Sequence, residues 1–226
     1  MADLIDTGEM YLKTVYELEE EGITPLRARI AERLDHSGPT VSETVNRLSR
    51  DGLLSVNSSR QLELTEEGRR KATEVMRKHR LAERLLTDII GLDWQYVHEE
   101  ACRWEHVMSD RVTEQLVAVL GDVSMDPYGN PIPITEEGPG DLGAQHSGLE
   151  SLADYDYDDT VTATLRRIAE PLQVDVELLA LFRGAGILPG QEITVTKSSE
   201  GLTIQGSEGT INNLPANIGK HLFIDA

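Results

Sequence analysis

The sequence predicts a mainly helical chain with a small β component: an N-terminal winged helix-turn-helix, a helical middle segment and a C-terminal β-barrel. Three observations predict it. Two short amphipathic helices flank a four-residue turn, Asp35 to Gly38. Long helical periodicity then runs from Thr65 to Leu120. After Pro127 to Ser147, which holds Asn130-Pro131-Ile132-Pro133 and Gly138-Pro139-Gly140 and reads as loop and linker, the pattern becomes short strand-like runs.

Each element has its own signal. Leu4 to Glu20 has helical apolar spacing at Met10, Val15 and Leu18, and Gly22 stops it. Thr24-Pro25 starts the next helix, because a first-turn proline loses no needed hydrogen bond, and Leu26, Ile30 and Leu34 give that helix one apolar stripe. Val41, Val45 and Leu48 repeat the pattern up to Gly52. Leu53 to Val56 and Gln61 to Leu64 alternate around Asn57-Ser58-Ser59-Arg60, which reads as a hairpin or wing. Thr65 with Glu66 and Glu67 opens a helix running to about Ile90, with Gly91 as its stop. Asp93 caps a helix reaching about Met108, and another spans Asp110 to Leu120. Leu81, Leu85, Leu86, Ile89 and Ile90 are available for a core or a dimer surface. Val161 to Ile168, Glu192 to Thr196, Leu202 to Gln205 and His221 to Ile224 read as barrel strands, with a helix near Asp175 to Phe182. The expected domains are 1–73 (DNA-binding), 74–140 (dimerisation and metal-binding) and 151–226 (barrel), with 141–150 as linker.

At 226 residues and 39% hydrophobic, the chain can bury several small cores. Its net charge of −19 argues against a general polyanion binder, but the charge is uneven. Residues 121–226 carry 5 Lys and Arg against 17 acids, whereas Leu26 to Arg60 has 6 Arg against 4. Nucleic acid is therefore expected only at the N-terminal end. No charged-then-apolar leader opens the chain, and no run nears the roughly 18 apolar residues that cross a bilayer, so a cytoplasmic protein without membrane partners is expected. The single cysteine, Cys102, excludes an intramolecular disulfide.

On the second helix of the pair, the face away from Val41, Val45 and Leu48 presents Ser37, Pro39, Thr40, Ser42, Glu43, Asn46, Arg47 and Arg50. Short hydroxyls and arginines suit phosphates and base edges in a major groove, and Arg27, Arg29 and Arg60 lie nearby in sequence. An ordinary solvated helix face is the competing reading. His98, Cys102, Glu105 and His106 stand at i, i+4, i+7 and i+8, so a continuous helix would align four metal-type ligands. His79 and Glu83 form a second i, i+4 pair, which alone would be an exposed ion pair. Cys102-Arg103-Trp104-Glu105-His106 also resembles an inverted zincin motif with cysteine for the first histidine. A thiolate on the metal would blunt its Lewis acidity, so no enzyme is expected.

With the helix-turn-helix, the wing and this stripe in hand, the chain resembles the diphtheria toxin repressor family, in its iron-dependent regulator branch. The resemblance rests on Asp6-Thr7-Gly8-Glu9-Met10-Tyr11-Leu12, Thr24 to Leu34, Ser37-Gly38-Pro39-Thr40-Val41-Ser42, Val75 to Asp88, Glu100 to Ser109 and Gly129 to Pro133; beyond about residue 135 it is weak. It implies an SH3-like third domain and two iron(II) sites per subunit, where Co2+, Ni2+, Mn2+ or Zn2+ can substitute in vitro. The regulatory site would use Met10, Cys102, Glu105 and His106, and the ancillary site His79, Glu83 and His98 with Glu170 and Gln173. DNA contacts would come from Thr7, Arg27, Ser37, Pro39, Thr40, Ser42, Glu43, Arg47, Arg50 and Arg60.

The resemblance further implies a homodimeric repressor, one or two dimers seated on each palindromic operator of iron-uptake and iron-homeostasis genes, whose metal orders the N-terminal helix. Manganese sensing is the alternative. Two departures stand out. Glu43 replaces a base-proximal glutamine. Where relatives hold an anion with an arginine, a serine and an asparagine, Arg80 and Asn130 match but the serine position is Asp126, whose carboxylate is expected to serve Arg80 or the metal.

Overall fold

The computed structural model describes residues 6–121, 123–134, 148–156 and 159–225. The expected linker 141–150 falls largely outside them, as does Gly138-Pro139-Gly140. The described residues fall into two compact units, one within Met1–Ala82, Cys102–Val119 and Ile132–His146, the other within Glu83–Ala101, Leu120–Pro131 and Ser147–Ala226.

In the first unit, α1 (Thr7–Glu20) begins where the Asp6 carboxylate accepts from the Gly8 and Glu9 amides at 2.7 and 3.3 Å. Its residues Tyr11 to Leu18 are all buried, so this helix is central rather than superficial. Helices α2 (Arg27–Leu34) and α3 (Gly38–Arg50) are joined through Asp35, left-handed at φ 51°, and Ser37 caps α3 by accepting from Thr40 N. Strands β1 (Leu54–Val56) and β2 (Leu62–Leu64) pair antiparallel as the wing. Asn57 shapes its tip: its Oδ1 accepts from Ser59 and Gln61 amides, and Arg60 takes φ 63°. Tyr11, Leu12, Val15, Ile30, Val41, Val45, Leu48, Leu54, Leu62 and Met76 form one core.

Helix α4 (Glu66–Arg84) continues through a π-helical turn, Leu85–Ile90, that ends at left-handed Gly91. The next expected helix is shorter than its sequence pattern. A 3-10 turn, Trp94–Tyr96, leads into α5 (Val97–Trp104), and Glu105 and His106 lie in the turn beyond it. The Val107 and Met108 amides both donate to the Trp104 carbonyl, and Ser109 then starts α6 (Asp110–Leu120) by accepting from Val112 and Thr113. The expected four-residue stripe is thus broken after Cys102.

The second unit carries a six-stranded antiparallel sheet of β3 (Leu149–Ser151), β4 (Thr160–Ile168), β5 (Glu192–Ser198), β6 (Gly201–Gln205), β7 (Thr210–Leu214) and β8 (Leu222–Asp225), ordered β3-β8-β4-β5-β6-β7. This is the SH3-like part of the fold. Between β4 and β5 lie α7 (Glu170–Gln173) and α8 (Val176–Ala185), the latter capped by Asp175. Leu165, Ile168, Leu179, Phe182, Ile193, Val195, Ile204 and Ile224 are its buried apolar residues. Strands β3 and β7 had no apolar alternation to announce them, being respectively three residues long and a mostly exposed Thr-Ile-Asn-Asn-Leu edge.

Candidate metal centres and nucleic-acid interface

In the first unit, three segments deliver charged side chains to one buried place. Glu9 and Lys13 stand one turn apart on α1; α4 supplies His79; the end of α5 and the turn after it supply Cys102, Glu105 and His106. The Lys13 ammonium lies 2.7 Å from Glu105 Oε2, 3.2 Å from His79 Nδ1 and 4.0 Å from Cys102 Sγ. His79 Nδ1 is 2.6 Å from Glu105 Oε2, and His106 is bracketed by Glu9 Oε2 at 2.8 Å and Glu105 Oε1 at 3.1 Å. Ligand atoms of His79 and Cys102 fall within 4.8 Å of one another, and His98 precedes Cys102 by one turn.

Electrostatics follow from that packing. Burial alone would raise the Glu105 carboxyl, but Lys13 and His79 hold it well below the usual carboxylate range. Burial would lower His106, yet Glu105 and Glu9 outweigh it and keep the imidazolium up at about 9. Lys13 is likewise held charged against its burial by Cys102, Glu105 and Glu17. A cation is therefore already at home among a carboxylate, an imidazole and a thiol, a donor set that suits a divalent metal. Met10 sits on α1 between these residues in sequence, half-buried against the helix-turn-helix core, its carbonyl accepting from Thr14 at 2.8 Å.

The second unit holds a differently built cluster. His98 Nδ1 is 3.2 Å from Glu83 Oε1, and the His98 amide donates to the Tyr128 hydroxyl, which donates to the Trp94 carbonyl. Asp126 Oδ1 accepts from the Tyr128 and Asn130 amides at 2.7 and 2.9 Å, and Oδ2 accepts from Asn130 Nδ2 at 2.8 Å. Gly129, at φ 86°, lets this loop press on β4; a Cβ there would clash with the Arg166 carbonyl. Glu170 and Gln173 are buried on α7. Gln173 Nε2 donates to the Ile168 carbonyl at 2.7 Å, and its Oε1 is buried without a hydrogen-bond partner among the described residues. An orphaned amide oxygen on the same short helix as the buried Glu170 is a donor type that suits a hard cation. In the first unit, Arg80, fully buried, donates to Glu20 at 2.9 Å, a pairing that the sequence did not reveal.

The α3 face is open. Ser37, Pro39, Thr40, Glu43, Arg47 and Arg50 are exposed, as are Thr7 and Arg60, while Ser42 and Arg27 are half-buried. Arg27 Nη2 donates to Asn46 Oδ1 at 3.2 Å, tying α2 to α3.

Two family models match in tandem: the iron dependent repressor N-terminal DNA binding domain over residues 3–62, and the iron dependent repressor metal binding and dimerisation domain over residues 65–134. The chain is 55% identical over 207 residues to the iron-dependent repressor IdeR of Mycobacterium tuberculosis, covering 90% of each. It is 53% identical over 210 residues to the diphtheria toxin repressor of Corynebacterium diphtheriae, again covering 90% of each. The chain belongs to the iron-dependent repressor family. Among solved structures, a manganese-dependent transcriptional repressor in complex with manganese superposes with TM-score 0.78 at 28% identity, covering 97% of this chain and 100% of that one. The crystal structure of T. acidophilum IdeR gives 0.75 at 26%, covering 98% of each. Within the family frame, the α3 face falls in the first model, and His79, Glu83, His98, Cys102, Glu105 and His106 fall in the second.

Sequence reasoning missed Glu9, Lys13 and Glu20. The one available signal was that charges interrupt a helix otherwise rich in buried apolar residues, where a charge needs a partner.

Proposed function

We propose that this chain is an iron(II)-dependent transcriptional repressor acting as a homodimer on palindromic double-stranded operators. The observation that carries this reading is the buried cluster in which charged side chains of α1 meet the end of α5 and the turn after it. A divalent cation bound to Met10, Cys102, Glu105 and His106 would cross-link α1 to the segment after α5. Glu9 and Lys13 already hold that junction, and α1 packs on α3 through the shared core. Ligation at one end of α1 thereby biases the position of the recognition face, which is linkage between metal and operator. His79, Glu83, His98, Glu170 and Gln173 form the second ligand set of this proposal. Val112 and Val119, two turns apart on α6 and 47% and 62% exposed, support a dimer contact. The proposed organisation keeps three domains, 1–73, 74–140 and 151–226, in a cytoplasmic, non-catalytic protein.

The test is anaerobic fluorescence anisotropy on an iron-box-like palindrome, titrating iron(II) and manganese(II) separately into wild type and Cys102→Ala. Iron(II) should trigger tight binding at the lower concentration, because thiolate and thioether favour the softer ion, and the variant should fail. Equal operator affinity without metal would end the switch; a lower threshold for manganese(II) would make this a manganese sensor, as the manganese complex of similar fold is named.

A further inference from the structure

The exposed stripe of α3 runs through Pro39, Thr40, Glu43, Asn46, Arg47 and Arg50. Three of its polar side chains are already engaged: Thr40 Oγ1 lies 2.8 Å from Ser37 Oγ, Asn46 accepts from Arg27, and Arg50 Nε donates to the Asn46 carbonyl at 3.3 Å. Glu43 and Arg47 lie at the middle of the stripe, one turn apart, yet form no ion pair among the described residues. Glu43 is an acid on the exposed α3 face that also carries Arg47 and Arg50, with Arg27 tied to that helix through Asn46, in the segment with the local excess of positive charge.

Phosphates repel a carboxylate, so a docked α3 keeps Glu43 off the backbone and directs it to base edges. In the major groove, guanine offers only N7 and O6 acceptors and thymine offers O4 and a methyl group. Adenine sets its N6 donor beside the N7 acceptor, and cytosine alone shows a donor with no adjacent acceptor. We infer that Glu43 is a specificity determinant that accepts from the N4 amino group of a cytosine at one fixed position in each operator half-site. The inference rests on α3 being the recognition helix, and Glu43 contributes discrimination there rather than affinity.

The experiment is selection from a random-sequence duplex library by the full-length, manganese(II)-loaded protein, comparing wild type with Glu43→Gln and Glu43→Ala. Wild type should enrich cytosine at one position per half-site, with a preference on the order of tenfold over the other bases. Glu43→Gln should move that position to adenine, whose N6 and N7 a carboxamide can satisfy together, and leave the remaining positions unchanged. Glu43→Ala should lose the preference while binding unrelated duplex more tightly, since it removes a repelled charge. Identical base preferences for all three proteins overturn the inference. A wild type that enriches no motif overturns the recognition-helix reading beneath it.

Discussion

The two buried clusters are built differently around their carboxylates. In the first unit, Glu105 is answered by charges: Lys13, His79 and His106 surround it within 3.1 Å. In the second, Asp126 is answered by N–H groups of its own loop, from Tyr128 and Asn130. A set of mobile side-chain charges can trade one cation for another without leaving a carboxylate bare. A carboxylate that accepts from the amides of its own loop also fixes that loop. The first cluster is therefore a place for exchange, whereas Asp126 in the second also shapes its loop, and Gln173 Oε1 and Asn130 Oδ1 are buried there without a hydrogen-bond partner among the described residues.

Removing each carboxylate breaks this comparison most directly. Glu105→Ala strips the buried Lys13 ammonium of its nearest partner, and metal-free protein should lose about 3 to 5 kcal/mol. Asp126→Ala leaves the Tyr128 and Asn130 amides without their acceptor and should lose about 2 to 3 kcal/mol. Urea unfolding of both metal-free variants decides the matter; a larger loss for Asp126→Ala would show that the loop carboxylate contributes more to stability than the partner of Lys13.

Lys13→Ala sharpens the comparison with a smaller effect. If the ammonium holds a metal's place, deleting it should tighten manganese(II) binding by about tenfold, or about 1.4 kcal/mol. Competition against a chromophoric chelator measures this. Unchanged or weaker binding would mean that Lys13 supports the cluster rather than competes for it.

The sequence made most elements and most ligand identities legible, because apolar periodicity, caps and turn residues are local. The paired α2 and α3, the wing and strands β4, β5, β6 and β8 all carry such signals. What stayed hidden depends on neighbours distant in the chain. Lys13 meets residues 66 and 92 positions away, and Arg80 meets Glu20 60 positions away, so no spacing rule could expose them. The stripe from His98 to His106 failed for a local reason of a different kind. Its composition permitted a longer helix, but Ser109 starts the next one and the helix yields after Trp104.

The subtlest expected effect at the first cluster lies in pH. His106 is held up at about 9 by Glu105 and Glu9 despite its burial, above an ordinary 6.5. A histidine whose pKa is raised on folding stabilises the fold fully below the unfolded value, and that stabilisation is lost as pH climbs through the folded one. Metal-free protein should therefore weaken between about pH 6.5 and 9. Metal affinity should move the other way, because a ligating imidazole must be neutral, and each pH unit below that limit costs about tenfold in competition with the proton. Glu9→Gln removes one of the two carboxylates that hold the proton. It should lower the His106 pKa, flatten both profiles across this window, and strengthen metal binding at its acidic end. Chelator competition and urea unfolding, each run across the window on wild type and variant, read the two opposed slopes. Profiles that superpose for the two proteins would show that Glu9 leaves the proton of His106 untouched.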